Sequence, residues 1–427
     1  MKTLIVVIDG SADGTRFRPT SFELAKTPGL DELARNAIAG CFYPIDSETP
    51  PESDAAVFSI LGYNPKELSI GRGLLEALGI GISIREGYEV AFRANFATVD
   101  AKTMKIIDRR VGRSLRTEEA MVLAEAIDGL DLGVWGGYAR VVATVGHRAV
   151  VVIGSRERRL SANVSNTDPA YERRGRISVA VESHSPFIAS CKPLDESEEA
   201  RITCDLVNIF TSRVIEILDK HPINIERSEK GLPKANAILL RDAEDRVPSV
   251  PSIDRVYGKR FGIVAEMPVE IGIGVLLGMD VAKVSLYGDR ETLYRERVEA
   301  TLKLLENNDV VYVHLKGPDE PGHDGDKARK VKAIETIDEL YIQPLLRRID
   351  LSSTVLIVTS DHCTPPELKA HSSDPVPIMV SFRGLKKRDD ISRFTEVECC
   401  TKGSLGTISS GYLVLNKIFS LLEQFTQ

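Results

Sequence analysis

The sequence predicts an α/β protein built on a mostly parallel sheet with helices on both faces, and three observations lead there. Residues 3–8, 310–313 and 355–359 are apolar runs of strand length, so each reads as a central strand covered on both sides. Each run breaks into a polar loop that carries a carboxylate: Asp9, Asp319 and Asp361. Amphipathic helical patterns at residues 292–307 and 326–349 lie between the later runs.

The 427 residues suffice for two or three domains, and a hydrophobic fraction of 43% supplies a sizeable core. Charged residues make up 27% with a net charge of −7, which argues against a general nucleic-acid binder because that would need a basic face. The six cysteines show no CxxC and no framework spacing, as expected of a reducing cytoplasm. The apolar run before Asp9 is too short for a signal segment. No run elsewhere approaches the ~18 residues of a membrane span.

Taken in order, residues 3–8 end at Asp9-Gly10, a dipeptide that commonly makes a turn. Thr27 and Pro28 have the form of an N-cap and first helical residue, with Leu30, Leu33 and Ala34 as the apolar face. After Pro50-Pro51-Glu52, Ser53 stands at or near the start of a helical run through Leu61. There, free backbone N–H groups and the positive end of the dipole favour an anion. An isolated serine in that place more often serves as a plain cap. Residues 70–81 read as a helix with a glycine end.

The texture then changes. Strands are expected at 88–99, 105–111, 139–145 and 149–153, helices at 117–127 and 195–220, and arginine is frequent throughout. Residues 246–252, rich in Pro and Ser, read as a linker. Beyond it come a strand at 261–265 and a helix at 268–279 whose glycines suit close packing rather than a dinucleotide turn. The helical pattern at 326–349 has an interruption near Pro344, residues 372–377 lead into a strand, and an apolar helix at 408–425 closes the chain.

Three of the seven histidines, His323, His362 and His371, fall in strand-end loops beside acids or prolines. Chemistry in open α/β sheets collects beyond the carboxyl ends of strands. Each histidine alone reads as structural or exposed, but together with Asp9, Asp319 and Asp361 they compose a two-metal site. Mixed imidazole and carboxylate donors suit Zn²⁺, Mn²⁺, Co²⁺ or Fe²⁺ better than Ca²⁺. Two such ions can clamp the attacking and leaving oxygens of a phosphoryl transfer, and in that company Ser53 becomes a candidate nucleophile.

The order Asp9-Gly10, Ser53 before a helix, Asp319-x-x-x-His323, Asp361-His362 and then His371 resembles the alkaline phosphatase superfamily. Further stretches are Leu61-Gly62-Tyr63-Asn64-Pro65, Gly71-Arg72-Gly73, Phe92 to Asp100, Asp108 to Arg113, Thr167-Asp168-Pro169, His221-Pro222-Ile223-Asn224 and His314-Leu315-Lys316-Gly317. With these the chain resembles, nearly end to end, the archaeal-type cofactor-independent phosphoglycerate mutases.

That resemblance implies an alkaline-phosphatase-like catalytic domain at residues 1–85 and 256–427 and an inserted α+β substrate or lid domain at 86–255. It implies that Asp9, Ser53, Asp361 and His362 hold one divalent ion and that Asp319, His323 and His371 hold the other. The ions would be Mn²⁺ or Zn²⁺, or else Co²⁺ or Mg²⁺, and no bisphosphoglycerate would be needed. Ser53 would carry the phosphoryl group between 3-phosphoglycerate and 2-phosphoglycerate, a reaction of glycolysis and gluconeogenesis. Arg93, Asn95, Arg109, Arg113, Arg148 and Asp168 would hold the substrate, since arginine matches phosphate and carboxylate bidentately. The expected partner is a small anionic phosphoester, with neither nucleic acid nor membrane.

Several positions depart from the family pattern: Glu52 and Ala55 where a glycine and a threonine flank Ser53-Asp54, Asp242 where a glycine follows Arg241, Ile271 where a helix carries a lysine, and Ser285-Leu286-Tyr287-Gly288 where Gly-Ala-Thr-Gly is usual. All seven presumed metal-site residues remain. The competing readings are a metal-dependent phosphohydrolase or a mutase for another small phosphoester. From a different class comes a catalytically silent metal-binding protein, which the intact Ser53 disfavours.

Overall fold

The computed structural model describes residues 1–68, 70–175 and 177–426. The chain forms two compact units, Met1–Leu68 with Val250–Gln427, and Ser69–Ser249. The divisions fall at 68/69 and 249/250, where the family resemblance implies 85/86 and 255/256, so the helix Arg72–Gly79 belongs to the second unit.

In chain order the strands are β1 (Lys2–Ile8), β2 (Ala37–Phe42), β3 (Glu89–Val99), β4 (Ile106–Asp108), β5 (Gly137–Ala143), β6 (Arg148–Ser155), β7 (Tyr171–Arg174), β8 (Ile177–Ala180), β9 (Ala237–Glu244), β10 (Phe261–Ala265), β11 (Asp280–Lys283), β12 (Val310–Leu315), β13 (Thr354–Thr359), β14 (Val376–Ser381) and β15 (Gly406–Ile408).

The first unit is built on one sheet in the order β11-β10-β12-β1-β13-β14-β2-β15. β1 runs parallel to β12 and β13, and β10 runs parallel to β11 and β12. Only β14 reverses, pairing antiparallel with β13 and β2. This is the mixed, mostly parallel sheet that the apolar runs predict. Those runs lack alternation because both faces are covered: Leu4, Val6, Ile8, Val311, Val313, Leu356 and Val358 join one core with Leu30, Ile334 and Ile337, and Ile5, Val7 and Ile357, which point the other way, are buried as well. The register Val7↔His314 and Val7↔Thr359 brings the carboxyl ends of β12, β1 and β13 side by side. Asp9, Lys316 and Asp361 therefore leave the sheet at one edge.

Local differences from the sequence pattern have local causes. Thr27 makes no side-chain cap on the helix Pro28–Ala34. The buried Asp338 carboxylate takes that place, accepting from Gly29 N at 3.1 Å and Leu30 N at 2.7 Å. The pattern at 326–349 resolves into Lys327–Ile337, a π turn Asp338–Ile342 and Gln343–Leu346. The wide turn comes just ahead of Pro344, which has no N–H to give. The closing helix begins at Val414 rather than at 408, because Gly406–Ile408 pairs with β2 as a strand. The strand expected at 105–111 stops at Asp108, since Val111 and Arg113 take positive φ.

In the second unit β3 is central. It pairs antiparallel with β4, β6 and β9, and β6 pairs with β5. Val90, Phe92, Ala94 and Phe96 point into a core shared with Leu206, Phe210 and Val214 of the helix Glu198–Leu218. Alternation sends Arg93 and Asn95 to the opposite face. No helix among the described residues is long and apolar enough to cross a membrane.

Candidate functional site

Ser53 is the first residue of the helix Ser53–Ile60, and the cap position belongs to Glu52, with no side-chain cap there. The Ser53 hydroxyl instead lies 3.2 Å from His362 Nε2. The same nitrogen is 3.4 Å from Asp9 Oδ1 and 3.4 Å from Asp361 Oδ2. Asp361 spends its other oxygen on Gly10 N at 2.8 Å and His362 N at 3.0 Å. Asp9 Oδ1 is buried without a hydrogen-bond partner. Asp9, Ser53, Asp361 and His362 thus lie together.

A second cluster adjoins it. Asp319 and His323 lie one turn apart on the short helix Asp319–Asp324 and so share a face. His323 Nε2 is 3.0 Å from His371 Nε2 and 3.5 Å from Asp319 Oδ1, and His371 Nε2 is 3.4 Å from that same oxygen. His323 Nδ1 lies 3.2 Å from the Lys369 carbonyl, and His371 Nδ1 lies 2.7 Å from the Pro51 carbonyl. Donating there leaves each Nε2 lone pair facing the cluster, the arrangement typical of metal-ligating histidines. Gly322 is needed for the fit, because a Cβ on it would lie 2.5 Å from the Thr364 carbonyl.

Proximity also groups the donors another way. Single donor atoms of Asp319, His362 and His371 fall within 4.8 Å of one another, and so do those of Asp9, His314 and Asp361. His362 therefore faces both clusters, and His314 stands against the first. The orphaned Asp9 oxygen and the imidazoles held by their Nδ1 atoms make a donor set that fits divalent ions.

The electrostatics follow from packing acids around bases. Burial alone would raise the Asp9 carboxyl, but Lys316, with His362 and His314, outweighs it and holds the carboxyl well below its usual range. Burial would lower His362, yet the carboxylates of Asp361, Asp9 and Asp319 raise it to about 9. Burial would likewise raise Asp319, which His371 and His362 nonetheless pull down.

The second unit holds a cationic patch. Asn95 on β3 sits opposite Arg148 on β6, and Arg93 sits opposite Arg241 on β9. Directly opposed residues share a face, so these four side chains form one surface. Arg93 Nε is 3.1 Å from Glu76 Oε1. Burial, with Arg72, Arg241 and Arg148 nearby, outweighs Glu76 and brings the Arg93 guanidinium down to about 10. Arg109 donates a two-pronged hydrogen bond to Asp168 at 2.9 and 2.7 Å. Tyr171 lies under both Arg241 and Arg109, with ring centroid distances of 4.0 and 5.1 Å. Arg113 is exposed and sits close enough to lower the His147 imidazole. Asp242 has φ of 56°, the left-handed conformation glycine favours, which is why a glycine suits that position.

The sequence gives no site role to Glu270, Lys316 and His314 beside the first cluster, nor to Arg72, Arg241, Tyr171 and His147 in the second unit, although Arg72, His314 and Lys316 lie in stretches that carry the resemblance. The spacing His314-x-Lys316 at the end of a buried strand was the available signal, since it places two polar side chains on one covered face.

A family model described as 2,3-bisphosphoglycerate-independent phosphoglycerate mutase matches residues 34–224. The protein of that name from Aeropyrum pernix is 47% identical across 99% of this chain and 100% of its own length. The Archaeoglobus fulgidus protein, 2,3-bisphosphoglycerate-independent phosphoglycerate mutase 1, is 39% identical across 99% and 98%. Among solved structures, the cofactor-independent phosphoglycerate mutase of Thermoplasma acidophilum is 30% identical, with a TM-score of 0.63 over 99% of this chain and 100% of its own. A Pyrococcus horikoshii protein is 26% identical, with a TM-score of 0.75 over 99% and 97%. Full-length identity at this level, on a chain whose serine and metal-donor side chains converge, means that the chain belongs to the 2,3-bisphosphoglycerate-independent phosphoglycerate mutase family.

Proposed function

We propose that this protein interconverts 3-phosphoglycerate and 2-phosphoglycerate through a phosphoserine at Ser53, with two divalent ions, Mn²⁺ or Zn²⁺, and without bisphosphoglycerate. The observation that carries this reading is the Ser53 hydroxyl. It does not cap its helix and stands 3.2 Å from His362 Nε2 among Asp9 and Asp361. Bound divalent ions would supply positive charge to the phosphoryl oxygens. Asp9, Asp361 and His362 would hold one ion with Ser53, and Asp319, His323 and His371 the other.

The phosphoryl group leaves one glycerate oxygen as its P–O bond breaks and a new P–O bond forms to Ser53 Oγ. The serine proton ends on the glycerate hydroxyl so released. Return of the group to the other hydroxyl restores Ser53. Throughout, the glycerate must stay bound and water must stay out, or the reaction becomes hydrolysis. In this reading the second unit works as the substrate-holding lid. Arg93, Asn95 and Arg148, with the Arg109–Asp168 pair and Arg113, take the carboxylate and phosphate. The substrates are small cytoplasmic anions, so the cytoplasm is the place of action.

The test is to incubate purified protein and Mn²⁺ with 3-phosphoglycerate and follow ³¹P NMR. The expected product is 2-phosphoglycerate, with phosphate label recovered on the Ser53 peptide after acid quench. Mainly inorganic phosphate would make the protein a hydrolase, and no turnover with any divalent ion would make it a silent relative.

A further inference from the structure

The carboxyl end of β12 presents His314 and Lys316 on one face, because residues two apart on a strand point the same way. Both meet Glu270 in the first turn of the helix Pro268–Leu276. Lys316 Nζ lies 2.7 Å from Glu270 Oε1, and His314 Nδ1 lies 3.5 Å from the same oxygen. Their other contacts go to the first cluster: Lys316 Nζ is 3.1 Å from Asp9 Oδ2, and His314 Nε2 is 3.2 Å from Asp361 Oδ2. Glu270 and His314 are each 2% exposed, so solvent does not balance these charges. One buried carboxylate thus stands behind two others on adjoining strand ends, linked by a lysine on one side and an imidazole on the other.

This arrangement answers a specific difficulty. An ammonium pressed against Asp9 would oppose a divalent ion at the same carboxylate unless a second anion offsets it. Glu270 is that anion. Its second oxygen is buried with no hydrogen-bond partner, so the carboxylate is fixed through Oε1 by Lys316 and His314. The helix that carries Ile271 in place of a lysine instead supplies the counter-charge for a lysine just past the end of β12.

We infer that Glu270 is a positioning residue for the metal at Asp9 and Asp361: it sets the charge of Lys316 against Asp9 and, through His314, aims Asp361. The inference rests on the reading of Asp9 and Asp361 as metal ligands.

The experiment titrates metal-free full-length protein with Mn²⁺ and follows free Mn²⁺ by EPR. The wild type fills two sites. Glu270→Gln keeps the side-chain volume and leaves the ammonium unbalanced, and it weakens one site by about ten-fold or more while the other stays within about two-fold. Asp319→Asn weakens the other site and so tells the two apart. Adding Lys316→Met to Glu270→Gln removes the stray charge and recovers most of the loss, whereas a merely structural Glu270 would leave the double variant worse than the single. His314→Gln, which leaves the Lys316–Glu270 pair intact, weakens the same site and serves if Glu270→Gln does not fold. Unchanged affinity at both sites, equal weakening of both, or a double variant no tighter than the single overturns the inference. A wild type with fewer than two Mn²⁺ sites removes the ligand assignment itself.

Discussion

The Thr364 hydroxyl donates a 2.7 Å hydrogen bond to Asp319 Oδ1. Thr364 Oγ1 also lies 3.0 Å from His362 Nδ1, so it accepts from that ring and joins the two donor clusters. Thr364 is buried. Thr364→Val keeps the shape and removes both hydrogen bonds. Freed of them, the Asp319 carboxylate and the His362 ring lose their aim. The expected result is Mn²⁺ affinity lower by about ten-fold, with activity restored at high metal concentration. Wild-type affinity in a folded Thr364→Val protein would show that the two clusters need no bridge.

Gly322 makes a stricter demand on the same loop. Its missing Cβ would lie 2.5 Å from the Thr364 carbonyl and 2.8 Å from Thr364 Cγ2. Because backbone cannot swing aside, Gly322→Ala must push the helix Asp319–Asp324 away from the loop after β13. Overpacking of this kind costs about 1–3 kcal/mol. Calorimetry should show a lower Tm, and the variant should hold fewer than two metal ions after dialysis. A variant that keeps both ions and the original Tm would mean that the loops are free to part.

The Ser53 hydroxyl acts as phosphoryl acceptor in the proposed reaction, and nothing else in the first cluster offers an oxygen nucleophile of that kind. Ser53→Ala should lower mutase turnover by about three orders of magnitude or more while metal content and Tm stay near wild type. EDTA should have the same effect on the wild type, reversed by adding metal. Phosphoglycerate interconversion at an ordinary rate by Ser53→Ala would end the phosphoserine mechanism.

The features legible in the sequence were those written in short range. Uninterrupted apolar runs disclosed β1, β12 and β13, and the acids just after them disclosed where the site would lie. The order of ligands then carried the resemblance. What stayed hidden depends on register between distant segments. Arg241 faces Arg93 only because β9 pairs with β3, and Glu270 meets Lys316 only because β10 and its helix lie beside β12. The failed Thr27 cap has the same origin, since Asp338, more than three hundred residues away, binds those N–H groups. Local propensity is overridden where a tertiary partner satisfies the backbone better.

Asp168 is 1% exposed and receives both prongs of Arg109. Asp168→Asn keeps the volume but trades one acceptor for a donor and removes the charge. Arg109 then loses its fixed direction toward a bound anion. KM for 3-phosphoglycerate should rise by about ten-fold or more with a smaller change in kcat, at a stability cost of roughly 1–3 kcal/mol. An unaltered KM would place Arg109 outside the substrate site.

His147 offers a test of the cationic patch that needs no catalysis. Burial, followed by Arg148, Arg110, Arg113 and Arg241, lowers its imidazole to about 4 in the folded protein. An unfolded chain keeps the ordinary value near 6.5. Between these two values the unfolded chain binds a proton that the folded one refuses, so this residue's effect is to destabilise the fold as pH drops from about 6.5 toward 4. The contribution vanishes above that window, where both states are neutral. In His147→Asn the window should close: Tm curves for wild type and variant should run parallel above pH ~6.5, then separate by a few degrees at lower pH, with the variant falling less steeply. Inorganic phosphate should partly flatten the wild-type curve at pH ~5.5, because an anion among the arginines offsets their share of the shift and leaves only that of burial. Parallel curves across the whole range, with or without phosphate, would mean that the arginines do not act together on this residue and that the patch does not concentrate charge for an anion.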